Sequence, residues 1–237
     1  MANYAIEVNS LTKSFTLHHT SYRTLKQKVV GLIDSRKRLT SEKLDALVDI
    51  NFRLKRGGSL ALLGHNGSGK STLLQLLAGV IQPTAGKIKT NGRIVPLIEL
   101  GVGFHPELTG QENVYLNASL LGASNKETRK IFNEIVEFSE LQKFIDTPVK
   151  HYSSGMYMRL AFSVAVHTRP DILLADEILT VGDKEYQEKC HERIKILQEQ
   201  GMTLILVTHA EGLAEKFCNQ FIKLDHGKII DQGHFKK

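Results

Sequence analysis

No apolar run in this chain of 237 residues approaches eighteen residues, so it offers no segment able to cross a bilayer as a helix. Its opening residues, Met1-Ala2-Asn3-Tyr4-Ala5, lack the basic-then-apolar order of a secretory signal. Cysteine is scarce. Cys190 and Cys218 are the two present; they lack metal-ligand spacing and read as ordinary thiols of a reducing cytosol. There are no internal repeats and no low-complexity segments. Nor is there an excess of acid: 31 Lys and Arg against 25 Asp and Glu give a net charge of +6. That balance suits nucleic acid, anionic lipid or an acidic partner and selects none of them. Hydrophobic residues make up 41% and charged residues 24%, which is enough for a packed core. The length fits one large domain, or one domain with a subdomain.

The stretch Gly64-His65-Asn66-Gly67-Ser68-Gly69-Lys70-Ser71-Thr72 has the Gly-x-x-x-x-Gly-Lys-Ser form of a phosphate-binding loop. The apolar run Ser59-Leu60-Ala61-Leu62-Leu63 before it reads as a buried strand, and Leu73-Leu74-Gln75-Leu76-Leu77-Ala78 after it as a buried helix. That strand–loop–helix context separates the motif from a Gly/Ser-rich turn without a ligand. Glycines let the loop wrap a phosphate with backbone N–H groups pointing inward. The helix starting near Lys70 aims its positive dipole end at the same anion. Lys70 adds a full charge for the β- and γ-phosphates, and the Ser71 hydroxyl suits magnesium. The implied ligand is a nucleoside triphosphate.

Ahead of the loop, Ile6, Val8 and Leu11 suggest an opening strand leading into Lys13-Ser14-Phe15. Residues 22–43 form a separate segment. Leu25, Val29, Leu32 and Ile33 fall at helical spacing among Arg23, Lys26, Lys28, Arg36, Lys37 and Arg38, as in a short amphipathic helix followed by a basic loop. Such a helix either packs on the domain with a solvated face or docks on a membrane or membrane partner; both readings stand. Val48, Ile50, Phe52 and Leu54 alternate with polar residues as a half-buried strand does. Residues 87–98 hold short strands around the turn Thr90-Asn91-Gly92, a hairpin signal. From about 108 to 168 the pattern is helical. Thr109 with Glu112 forms a capping box, and residues 111–121, 126–138 and 155–167 carry apolar residues at three- and four-residue spacing. Strands return at 172–176, 203–207 and 221–224, with helices between them, notably 184–200.

Ile172-Leu173-Leu174-Ala175-Asp176-Glu177 is an apolar run closed by two carboxylates. A buried parallel strand ending in Asp is how phosphate-loop ATPases hold magnesium, so Asp176 suits the metal and Glu177 suits polarising a water in line with the γ-phosphate. Of the ten histidines, His209 is distinguished by following the strand Leu204-Ile205-Leu206-Val207, which brings it to the same sheet edge. There it suits the γ-phosphate and the attacking water. Tyr152-Ser153-Ser154-Gly155-Met156 opens the helix that runs to His167, with Ser153 and Ser154 as N-cap candidates.

In this order the motifs resemble those of ABC-type ATPases, over almost the whole chain. The family signature is Leu-Ser-Gly-Gly-Gln; here Ser153 and Gly155 keep the first Ser and second Gly, while Tyr152, Ser154 and Met156 depart from it. Asp183 falls in the loop after the strand that ends in Asp176 and Glu177. The resemblance implies an α/β fold: a phosphate-loop core of ABC type with an N-terminal antiparallel β subdomain and a helical signature subdomain. It sets the core with its β subdomain at about 1–107 and 169–237 and the helical part at about 108–168. It implies ATP and Mg2+ as ligands and ATP hydrolysis as the activity. It further implies a head-to-tail homodimer in which each ATP lies between one copy's phosphate loop and the other copy's Ser153, Ser154 and Gly155. Phe15 is the candidate for stacking on adenine, with Tyr22 and His18 as rivals and a plain core role nearly as open.

Glu99 falls near the place of the Gln that, in most members, senses magnesium and contacts the membrane partner. The run Glu99-Leu100-Gly101-Val102-Gly103-Phe104, the later Glu112-Asn113-Val114-Tyr115-Leu116-Asn117-Ala118 and the Tyr-Ser-Ser-Gly-Met signature resemble the branch that exports lipid-linked polysaccharides. The implied partners are a second copy and two copies of an integral-membrane subunit, at the cytoplasmic face of the inner membrane. No nucleic acid is expected, and no C-terminal carbohydrate-binding domain. The rivals are an ABC ATPase of another transporter branch, a soluble one acting on nucleic acid, which Arg36-Lys37-Arg38 would permit, a nucleotide-sensing regulator, and a phosphate-loop kinase.

Overall fold

The computed structural model describes residues 4–18, 41–98, 100–176 and 182–235. The amphipathic helix expected within 22–43 lies outside them, as do Tyr22, Glu99 and Glu177.

Two sheets and a helical layer make up the described residues. The first sheet is antiparallel, in the order β2-β1-β4, with β1 at Tyr4–His18, β2 at Ser41–Lys55 and β4 at Ala85–Thr90. Ile6, Val8 and Leu11 of β1 are buried and pair with Leu54, Phe52 and Ile50, the residues whose alternation marks β2. The second sheet has the order β5-β6-β7-β3-β8-β9. Its strands are β3 (Ser59–Leu63), β5 (Ile94–Pro96), β6 (Ile172–Ala175), β7 (Thr203–Val207), β8 (Gln220–Asp225) and β9 (Lys228–His234). All pair in parallel except β9, which returns antiparallel along β8.

Every residue of β6 and β7 is buried. Side chains alternate between the two faces of a strand, and both faces here are covered, so these strands read as continuous apolar runs. Leu60, Leu62, Ile172, Leu174, Ile205 and Val207 pack toward the first sheet and helix α1 (Lys70–Leu77). Ala61, Leu173, Ala175, Leu204 and Leu206 pack on the opposite face, against α5 (Lys184–Glu199) and α6 (Glu211–Phe217).

The helical layer is α2 (Gly110–Leu120), α3 (Asn125–Ser139) and α4 (Ser154–His167), with a 3-10 turn at Val149–His151. Both α2 and α3 open on reciprocal capping boxes, Thr109 with Glu112 and Ser124 with Glu127. Each box satisfies two otherwise orphaned backbone or hydroxyl donors. Helix α4 belongs to two cores: Leu160 and Val164 face Val114, Ala118 and Ile135 of the helical layer, while Phe162, Ala165 and Val166 pack on the sheet.

The architecture meets the α/β expectation, with two corrections. Thr90-Asn91-Gly92 is no hairpin. It carries the chain from β4 of the first sheet to β5 of the second. Asn91 donates from its backbone to the Ala5 carbonyl and from its side chain to that of Tyr4, and the Arg93 N–H donates to the Asp171 carboxylate. These distant partners hold the turn between layers. Residues 41–43, expected in a basic loop, instead begin β2, because the ladder with β1 continues to His18 opposite Ser41.

Candidate functional site

At the C-terminal ends of β3 and β6, where parallel strands present their ligand-binding edge, lies a cleft of about 620 Å3. Its walls include Asn66, Gly67, Gly69, Lys70, Ser71 and Thr72 from the loop, Asp176 after β6, Phe15 of β1 and Val207 of β7. The structure thus gathers the phosphate-loop residues, Phe15 and Asp176 around one space.

The loop has the backbone the glycines announced. Gly64, Gly67 and Gly69 have φ of 145°, 82° and 105°, a region that side chains disfavour. A Cβ on Gly67 would meet no atom within 4 Å, whereas one on Gly69 would lie 2.8 Å from both the Ala46 carbonyl oxygen and Leu47 Cδ2. Gly67 therefore borders open space, and Gly69 lies tight against β2. Lys70 is buried, and its Nζ donates to the carbonyls of Gly64 at 2.7 Å and His65 at 2.8 Å. This curls the loop around the ammonium. Ser68 Oγ is buried without a hydrogen-bond partner among the described residues, a state that costs about 1–3 kcal/mol until something satisfies it. A buried ammonium and an open glycine face fit a phosphate group. Ser71 and Asp176, on the same cleft, supply the hard oxygen donors that suit Mg2+.

Some braces of the loop carry no local sequence signal. The Gly227 N–H donates to the Ser68 carbonyl at 3.0 Å, and the Val48 N–H to the Gly227 carbonyl at 2.8 Å. Leu44, Asp45, Ala46, His226 and Gly227 complete the cleft. The β8–β9 turn thus closes over a loop about 160 residues earlier in the chain. An Asp-His-Gly between two apolar runs is a hairpin signal, but nothing in it indicates which loop it covers. Phe15 is 36% exposed, with Lys13 Nζ 4.9 Å above its ring; it is a wall of the cleft and no part of the core.

Other expected residues lie elsewhere. Ser153 caps α4, accepting from the Met156 N–H at 3.2 Å; Ser154 opens the helix and Gly155 follows it. None of the three borders the cleft. Asp183 caps α5 by accepting from the Tyr186 N–H at 2.9 Å and also accepts from Arg159 of α4 at 2.6 Å. Arg159 reaches Glu140 as well and lies over the Tyr186 ring. The start of α5 and the helix opened by Ser153 are therefore pinned together, through a residue the sequence did not single out. His209 is exposed two residues past β7 and is not part of the cleft wall.

Beside the cleft, Gln75, Val80, Pro96, Leu100, Val102 and Leu120 border an apolar groove of about 280 Å3 between core and helical layer. Val80, Val102 and Leu120 are exposed. Tyr157 of α4 donates to the Gly101 carbonyl at 2.7 Å, tying this loop to the signature helix. Among the described residues no helix is long and apolar enough to cross a membrane.

Comparison with known proteins agrees with this geometry. A family model described as ABC transporter matches residues 47–180. The ABC transporter protein AbcA of Aeromonas salmonicida is 43% identical over 236 residues, covering 100% of this chain and 75% of that one. The O-antigen export system ATP-binding protein RfbB of Klebsiella pneumoniae is 42% identical over 228 residues, 96% of this chain and 93% of that one. Among solved structures, the ATP-binding cassette MJ0796 in a dimeric post-hydrolysis state bound to ADP and Pi superposes with a TM-score of 0.76 at 24% identity. That match covers 98% of this chain and 99% of the other and shows that the fold is shared.

Proposed function

The chain belongs to the ABC transporter family, and from that premise we propose that it is the ATP-hydrolysing subunit of an exporter of a lipid-linked, O-antigen-like polysaccharide. The observation that carries the reading is the pairing of a phosphate-fitted cleft with 42% identity, over 93% of its length, to a protein named for O-antigen export. The subunit works at the cytoplasmic face of the inner membrane, as a homodimer on two copies of a membrane subunit.

The division of labour follows from what one copy lacks. Gly64, His65, Asn66, Gly67, Ser68, Gly69, Lys70, Ser71 and Thr72 hold the triphosphate, and Phe15 flanks the base. The far wall of the site comes from the second copy: Ser153, Ser154, Gly155 and the dipole of α4 face the γ-phosphate. The position of these residues outside the cleft of their own copy supports this arrangement. Ser71, Asp176 and Glu99 would hold Mg2+; the ion would neutralise charge on the β- and γ-phosphates. Glu177 takes a proton from the attacking water, and His209 orients that water and the γ-phosphate. Asp183, held by Arg159, ties the start of α5 to the signature helix.

ATP closes the dimer and hydrolysis releases it, a switch that needs a preference of about 10⁴-fold for the closed state. The apolar groove bordered by Val80, Val102 and Leu120 receives the membrane subunit, and the Tyr157–Gly101 hydrogen bond passes the motion between them. The test is Glu177→Gln, purified with its membrane partner. ATP binding is expected to persist, while turnover falls about 10²–10⁴-fold. Unchanged turnover removes Glu177 from this role, and failure to co-purify with a membrane protein removes the export reading.

A further inference from the structure

At the rim of the cleft, whose wall includes His226, His65 of the phosphate loop meets the β8–β9 turn. His65 Nε2 lies 2.6 Å from Asp225 Oδ1, and His226 Nε2 lies 3.7 Å from the same oxygen. The two imidazoles meet edge to face at 5.4 Å. One ligand atom from each of the three residues lies within 4.8 Å of the others. We propose that His65, Asp225 and His226 form a binding site for one first-row transition-metal ion, Zn2+ foremost, which clamps the phosphate loop to the β8–β9 turn.

Three features of the geometry favour an ion over a plain ion pair. First, His65 Nδ1 lies 2.6 Å from the Asn66 carbonyl oxygen. A hydrogen bond from Nδ1–H to a carbonyl is the usual device that fixes a ligating histidine's tautomer and aims Nε2 outward. Second, ligands about 2.0–2.1 Å from a tetrahedral ion stand about 3.4 Å apart. The three side chains need shifts of about 1 Å to reach that spacing, and they are 53%, 38% and 86% exposed, free to make them. Solvent would complete the coordination shell. Third, His226 and Gly227 have φ of 44° and 74° and form the whole loop between β8 and β9. That is a type I′ turn, whose first position ordinarily holds Asn, Asp or Gly. Histidine there gives up turn propensity and puts an imidazole beside the phosphate loop.

Two imidazoles with one carboxylate suit zinc and its neighbours, while magnesium prefers oxygen alone. The site is therefore distinct from the nucleotide's cation. On binding, the ion takes the place of the proton between His65 Nε2 and Asp225, and that proton leaves to solvent. Because His65 and Asn66 belong to the phosphate loop, the affinities for metal and for nucleotide are linked reciprocally.

The test is calorimetric titration of Zn2+ into the full-length, nucleotide-free protein with Mg2+ in excess, with Co2+ as a spectroscopic probe. Expected are one ion per chain and the visible bands of tetrahedral Co2+. Affinity should fall at least about tenfold in His226→Asn. Asn keeps the left-handed turn, so the fold survives, and Asp225→Asn provides a second, independent loss of a ligand. A Zn2+ affinity weaker than about 100 µM, or one unchanged in both variants, overturns the proposal. Because the readout is metal binding without nucleotide, its failure leaves the reading of ATP hydrolysis and export standing, and the two fail separately.

Discussion

The glycines of the phosphate loop separate fold from binding, and a pair of single substitutions tests that separation. Gly67→Ala places a methyl group at φ 82° where no atom lies within 4 Å. The backbone cost is about 1–2 kcal/mol, small beside a domain stability of about 5–15 kcal/mol. The methyl stands at the cleft wall and holds a phosphate off the loop's N–H groups. Losing one charge-assisted hydrogen bond costs about 1.5–3 kcal/mol, or about 10- to 150-fold in ATP affinity. Gly69→Ala carries the same backbone cost and also drives its methyl to 2.8 Å from the Ala46 carbonyl and Leu47. With overpacking added, the loss is about 2–5 kcal/mol. Urea unfolding and titration with a fluorescent ATP analogue read the two effects. Gly67→Ala should fold and bind ATP about 10- to 150-fold more weakly, while Gly69→Ala should lose stability first. Wild-type ATP affinity in Gly67→Ala would show that the phosphate does not lie where the loop opens.

His167 is buried, donates from Nδ1 to the Ser163 carbonyl, and is pushed by desolvation from its ordinary 6.5 to about 4. The unfolded chain therefore takes up a proton that the fold refuses. Stability is complete above about pH 6.5 and falls by about 3 kcal/mol as the pH drops to 4. The difference in urea midpoint between pH 7 and pH 4.5 should shrink in His167→Gln; an unchanged difference refutes the assignment. Cys190 and Cys218 are buried, and their thiols are pushed up to about 12. A disulfide reagent at pH 8 should leave both untouched in the native protein and label both in denaturant. Tyr157→Phe removes the hydrogen bond to Gly101 at a cost of about 1 kcal/mol. ATP affinity should hold while stimulation by the membrane partner declines, and equal stimulation would remove that bond from the coupling path.

Much of this was legible because its causes are local. The strand–loop–helix at 59–78 declares itself by a glycine pattern between two apolar runs. The capping boxes at Thr109 and Ser124 are complete within four residues, and the first stands in the sequence as Thr109 with Glu112. β6 and β7 show as unbroken apolar runs because both their faces are covered. What escaped depends on partners distant in the chain. Asn91-Gly92 has hairpin chemistry, yet its hydrogen bonds go to Tyr4 and Ala5. Polar residues 41–43 became strand only because β1 was there to pair with them. Asp225 and His226 join the site across the fold, and Arg159 acquires its meaning only beside Asp183.

The order β5-β6-β7-β3-β8-β9 puts β3 between two strands made much later. During synthesis the phosphate loop leaves the ribosome early, but its strand waits for residues 203–207 on one side and 220–225 on the other. The cleft is thus incomplete until residues 220–227 have emerged, since before then β3 lacks one neighbour and Gly227 has not closed over the loop.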